Sequence, residues 1–138
     1  MRIISSIMLA AALVATGAQA QAKPRESGEA RLAKEIEGRI AGKPVNCLYS
    51  RNIRSTRIIN GTAIVYETNN RTIYVNRPAS GATFLRDSDV LVTRTSTPQL
   101  CNVDIVRLYD TGARFERGSV GLGQFVPYTK PKTAASQR

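Results

Sequence analysis

The sequence predicts a mainly β fold, a small sandwich or barrel-like domain with one N-terminal helix and one disulfide. Three observations carry this expectation. From Pro44 onward, short runs rich in Val, Ile, Tyr and Thr alternate with Pro, Gly and Asn turn signals. One stretch ahead of Pro44 has helical apolar spacing, at Leu32, Ile36 and Ile40. The chain of 138 residues holds two cysteines, Cys47 and Cys101, downstream of an N-terminal export pattern.

Residues 1–20, MRIISSIMLAAALVATGAQA, read as a signal peptide. Arg2 supplies the positive start, the run from Ile3 to Val14 is apolar apart from Ser5 and Ser6, and Ala18-Gln19-Ala20 is a small-x-small cleavage pattern. The apolar core is shorter than the roughly 20 residues that span a bilayer, so cleavage rather than anchoring is expected. The mature chain then begins at Gln21 and carries no transmembrane segment. Cleavage removes one charged residue, Arg2, which leaves 19 Lys and Arg against 10 Asp and Glu, or +9.

Residues 21–26 are polar, include Pro24 and are expected to form a flexible leader. Residues 27–43 hold the helix, expected over about 28–41. Ser27 caps it, Glu29 sits in its first turn, and Gly42 with Pro44 ends it. Glu35 and Arg39 are spaced for a supporting pair, while Gly38 weakens the helix by about 1 kcal/mol relative to Ala.

Residues 44–128 form the β-rich domain. Thr62–Thr68 and Arg71–Asn76 flank Asn69-Asn70, which suits a two-residue hairpin turn. That register sets Tyr66 opposite Ile73 and Ile64 opposite Val75, one apolar face, with Val65, Glu67, Thr72 and Tyr74 on the other. Further strands are expected at Val90–Arg94, Val103–Tyr109, Ala113–Arg117 and Gln124–Val126. Residues 129–138 contain no apolar residue larger than Ala and read as a disordered tail.

Cys47 and Cys101 lie 54 positions apart. An even count in an exported chain favours a bridge, and closing such a loop is worth about 4 kcal/mol on chain-entropy grounds. A metal pair or a nucleophile are the alternatives; both lack the histidine they normally require.

The chain has no histidine at all, which removes Ser-His-Asp and Cys-His chemistry, the commonest metal ligand and the usual neutral-pH base. A carboxylate acid–base pair is left, with Asp87 and Asp89 nearest each other and Asp104 and Asp110 as further candidates. Acidic residues in such positions more often serve turns. Gly118, Gly121 and Gly123 in RGSVGLGQF have the spacing of a phosphate loop, but the segment runs toward Pro127 instead of opening a helix. Asn60-Gly61-Thr62 and Asn70-Arg71-Thr72 match a glycosylation acceptor, and turn chemistry explains both.

Arg51, Arg54 and Arg57 are the densest cationic cluster in the domain, and a charge near +9 draws a protein toward anionic polymers. A solvated basic face is the plainer reading of the same residues. Nucleic acid is unlikely as a partner, since export removes it and no stacking platform is legible.

The ordered elements Cys47, Ile53-Arg54-Ser55-Thr56, Tyr74-Val75-Asn76-Arg77, Leu100-Cys101-Asn102-Val103-Asp104 and Gly121-Leu122-Gly123-Gln124-Phe125 resemble a family of small exported proteobacterial proteins, a domain of unknown function. The resemblance covers roughly residues 45–128. It implies an envelope or secreted location and brings no known activity, substrate or catalytic residues with it. Members often carry two further cysteines, near the positions of Gly81 and Val120 here, so this chain resembles a form without the second bridge.

The expectation is therefore an exported, periplasmic or secreted, non-enzymatic protein with no cofactor and no metal. A basic module for anionic cell-envelope polymers, using Arg51, Arg54 and Arg57, is one alternative, and an inhibitor of an exported enzyme is another.

Overall fold

The computed structural model describes residues 25–132. The expected signal peptide and most of the expected tail lie outside these residues. A helix, α1 (Gly28–Glu35), is followed by β1 (Ile40–Ala41), β2 (Cys47–Tyr49), a 3-10 turn over Ser50–Asn52, β3 (Ile53–Ile59), β4 (Ala63–Thr68) and β5 (Ile73–Asn76). A second 3-10 turn, Ala82–Phe84, precedes β6 (Asp89–Thr93), β7 (Gln99–Cys101), β8 (Ile105–Asp110), β9 (Phe115–Gly121) and β10 (Phe125–Thr129). The fold is mainly β with one helix and a Cys47–Cys101 disulfide, and its sheets form an open sandwich rather than a closed barrel.

The strands make a five-stranded sheet in the order β1-β10-β5-β4-β3, a three-stranded sheet β6-β8-β9 and a two-stranded sheet β2-β7. Between the two larger sheets lies one core, with Ile58, Ile64, Tyr66 and Phe125 from the first meeting Val106, Leu108 and Val120 from the second. Leu48 and Leu100 of the small sheet join it. On the opposite face of the five-stranded sheet, Leu32 of α1 packs over Ile59, Ala63, Val65, Ile73 and Val75, with Ile36 at the margin. The layers run helix, sheet, sheet.

The helix is shorter than the expected 28–41. Ser27 caps it as anticipated, its hydroxyl accepting from the Ala30 amide. The last turn ends at Ile36, whose N–H reaches the Leu32 carbonyl, while the Glu37 N–H reaches that of Lys34. Gly38 follows at φ +68, a left-handed residue that terminates a helix better than it sits within one. Ile40 consequently belongs to β1 and is 60% exposed, so the apolar stripe ends at Ile36. Glu35 and Arg39 cannot pair across that break.

The β4–β5 hairpin exists, but one residue out of the expected register. Val65 faces Val75 and Tyr66 faces Tyr74. The connection is a three-residue loop, because Arg71 takes φ +63, donates its N–H to the Thr68 carbonyl, and leaves Thr68 N–H to bond Thr72. Such a loop is a type I turn closed by a left-handed residue. The faces are therefore Ile64, Tyr66 and Tyr74 toward the sandwich core, and Val65, Glu67, Ile73 and Val75 toward the helix.

RGSVGLGQF lies along β9 and its link to β10, with no helix behind it. Gly123 is needed there, because a Cβ would stand 2.3 Å from the Arg77 carbonyl oxygen. The buried Asn76 amide clasps the same residue, donating to the Gly123 carbonyl and accepting from its N–H. This clasp carries the chain from the small sandwich sheet to the large one.

Candidate functional site

The three expected arginines do not act together. Arg57, on β3, turns toward the helix and grips the Glu35 carboxylate through Nε and Nη2 at 3.2 and 3.0 Å. Its Nη1 donates to Glu67 at 3.2 Å and to Ser55 at 3.3 Å. Burial works against the Arg57 charge, yet the hydrogen bonds it donates to both carboxylates outweigh it and hold the guanidinium more firmly protonated. Glu67 is held below the usual carboxylate range chiefly by the Arg57 hydrogen bond, with a longer-range pull from Arg54. Arg57 fastens α1 to the sheet and is not a free cation.

Arg51 and Arg54 are exposed and join two arginines that are remote in sequence. The Arg51 guanidinium lies over the Tyr49 ring, 5.5 Å from its centroid. The β4–β5 loop docks beside it: Asn69 donates its backbone N–H to the Asn52 carbonyl and its side-chain amide to the Arg51 carbonyl. Ile53 pairs with Thr68, which sets Arg54 next to that loop. Arg71 belongs to the loop, and Arg39 reaches in from the end of the helix to donate to the Arg71 carbonyl at 3.0 Å. Eight of the ten carboxylates are engaged in ion pairs elsewhere. Among the described residues, none of Arg39, Arg51, Arg54 and Arg71 has an ionic partner within 4.0 Å.

A cleft of about 380 Å³ opens beside this group. One wall is Val45, Leu48, Tyr49 and the Cys47 end of the disulfide; the other is Thr68, Asn69, Asn70 and Tyr74, with Asn52 between them. No Lys, Arg, Asp or Glu lines it. Asn70 spends its carbonyl oxygen on the Thr68 hydroxyl and the Thr72 N–H, which leaves its NH₂ free. Among the described residues the Asn52 amide and the Tyr49 and Tyr74 hydroxyls accept and donate nothing within the chain. The cleft is thus neutral and hydrogen-bonding, with Arg51 against its lining residue Tyr49 and Arg71 next to its lining residue Asn70 in the chain.

The sequence singled out Arg51 and Arg54 and gave no signal for Arg39, Arg71 or the cleft. Only the left-handed turn at Arg71 and the docking of that loop on Asn52 bring them together. A second groove, along β3 and β6, has its charges internally matched by Arg31–Asp87 and Arg57–Glu35.

Three of the four aspartates considered for acid–base chemistry are held by hydrogen bonds or an ion pair. Asp87 pairs with Arg31, and Asp104 accepts from the Cys101 N–H. Asp110 holds the Gly112 and Ala113 amides, whereas Asp89 lies buried 3.6 Å from Arg117 with neither carboxylate oxygen hydrogen-bonded. Of the heads of the two acceptor patterns, Asn70 braces its own turn, while Asn60 accepts from the Asp87 N–H and ties its turn to the loop before β6. No cluster of metal-ligating side chains occurs among the described residues, and no helix there is long and apolar enough to cross a membrane. Comparison with protein-family models, curated proteins and solved structures finds no match for this chain.

Proposed function

We propose that the chain is an exported, non-enzymatic protein of the periplasm or extracellular space that holds an anionic envelope polymer at the rim of this cleft. The observation that carries the reading is the gathering of Arg39, Arg51, Arg54 and Arg71 around one loop, none of them with a carboxylate within 4.0 Å. Fixed cations that find no partner within the fold raise the local concentration of polyanions and steer them to the site. The disulfide is compatible with an oxidising compartment, and the signal-peptide pattern and the resemblance to exported proteobacterial proteins support the same location.

Heparin serves as a test polyanion. The mature protein should bind it with an affinity that falls steeply from low to physiological salt. The triple variant Arg51→Gln, Arg54→Gln, Arg71→Gln should lose tenfold or more, on the order of 0.5 kcal/mol per arginine. A control triple, Arg86→Gln, Arg94→Gln, Arg114→Gln, removes the same charge from other loops and should cost no more than about twofold. Equal losses from the two triples would reduce the attraction to bulk charge and defeat the reading.

A further inference from the structure

We infer that the cleft seats a sugar ring, so that the polymer is an acidic polysaccharide carrying carboxylates, a polyuronate, rather than a polyphosphate. This rests on the reading of the arginine rim given above and adds the identity of what lies inside it. The free groups in the cleft include the Asn52 amide, the Asn70 NH₂ and the Tyr74 hydroxyl, beside that of Tyr49. Asn52 and Tyr74 each both donate and accept, as sugar hydroxyls do. Phosphate oxygens only accept, so a phosphate chain would bury the Asn52 carbonyl oxygen without a partner and lose affinity for it.

The lining carries no cation to meet a charge at depth, so the group that enters is itself uncharged. Val45 and Leu48 supply apolar contact for the C–H face of a ring, and about 380 Å³ is near the lower end of small-molecule sites. A uronate chain presents this combination at every residue: a hydroxylated ring with one carboxylate projecting from it. Arg51, held at the margin by Tyr49, stands where that carboxylate would be met.

The test compares an oligogalacturonate, a polyphosphate and a single-stranded DNA of equal charge number, by titration calorimetry at one low salt concentration. The mature protein should bind the oligogalacturonate about tenfold more tightly than either other polyanion. Asn52→Ala with Tyr74→Phe removes two neutral hydrogen-bonding groups and no charge. It should weaken the oligogalacturonate about five- to tenfold and the polyphosphate less than twofold. Asn52 is exposed and unbonded at its side chain, so Asn52→Ala alone gives a second variant safe for folding; it removes the amide without changing charge and should weaken the uronate more than the polyphosphate. Equal affinity for all three polymers, or equal losses across them in the variants, would overturn the sugar assignment while leaving the arginine rim standing. Preference for DNA would overturn it in favour of a base-binding cleft. Absence of binding to any of the three would overturn both readings.

Discussion

Replacing Tyr66 with Ala should lower the unfolding free energy by about 3–5 kcal/mol, while Tyr66→Phe should cost nothing or stabilise slightly. Tyr66 is 3% exposed in the core between the two large sheets, and its ring meets Phe125 edge-on with centroids 5.6 Å apart. Truncation removes that aromatic pair and leaves a cavity bounded by two sheets, neither of which can close on it without disturbing its own ladder. The phenol adds nothing in return: its oxygen is buried without a hydrogen-bond partner, and burial pushes its pKa well up. Removing the oxygen alone therefore relieves a desolvation cost at nearly constant volume. Denaturant melts with unchanged m-values would measure both. A costly Tyr66→Phe would mean the hydroxyl is satisfied in solution.

Opening the disulfide is the second large effect. Cys47→Ser should cost about 2–4 kcal/mol, and Cys47→Ser with Cys101→Ser little more, because either change opens the same loop. The two residues stand directly opposite each other in the β2–β7 pair, Cα atoms 4.0 Å apart. Three residue pairs are a marginal sheet on their own. Leu48 and Leu100 reach the core from it, at 7% and 3% exposure, so the bridge also holds a corner of that core in place. Denaturant melts of the three variants decide the matter; single effects that simply add would show the residues to be unpaired. Since Cys47, Leu48 and Tyr49 form one wall of the cleft, the same variants should bind the polymer more weakly.

The strand-rich class, the N-terminal helix and the bridge were legible because each has a local cue. The hairpin register was not. Its alternation is hidden where a strand is buried on both faces, and Ile64 and Val65 on β4 are each 0% exposed because the helix covers the face that the sandwich core does not. With both faces apolar, the pattern cannot choose between registers one residue apart. The turn decided it instead, through an arginine in the left-handed region that no propensity favours.

Arg51, Arg54 and Arg57 read as a basic cluster, and the last two proved to lie in a strand, β3. It is the edge of the five-stranded sheet, where charged side chains discourage pairing with a second chain, so Arg54 and Arg57 have a structural use alongside any other. Spacing by three then misled, because a strand alternates: Arg57 points to the helix and its carboxylates, whereas Arg54 sits in the bulge between Ile53 and Ser55. Arg39 and Arg71 carry no sequence signal of their own. Their shared position follows from where the helix stops and how the β4–β5 loop is built.

The most direct test of a cleft with a cationic rim is a titration of labelled mature protein with oligogalacturonate, followed by backbone amide chemical shifts. The expected result is saturable movement confined to residues 49–54 and 68–74, with Arg39 alongside and the loops around Arg86, Arg94 and Arg114 unmoved. Shifts scattered over all the arginine-bearing loops, or centred on the β3–β6 groove, would contradict it.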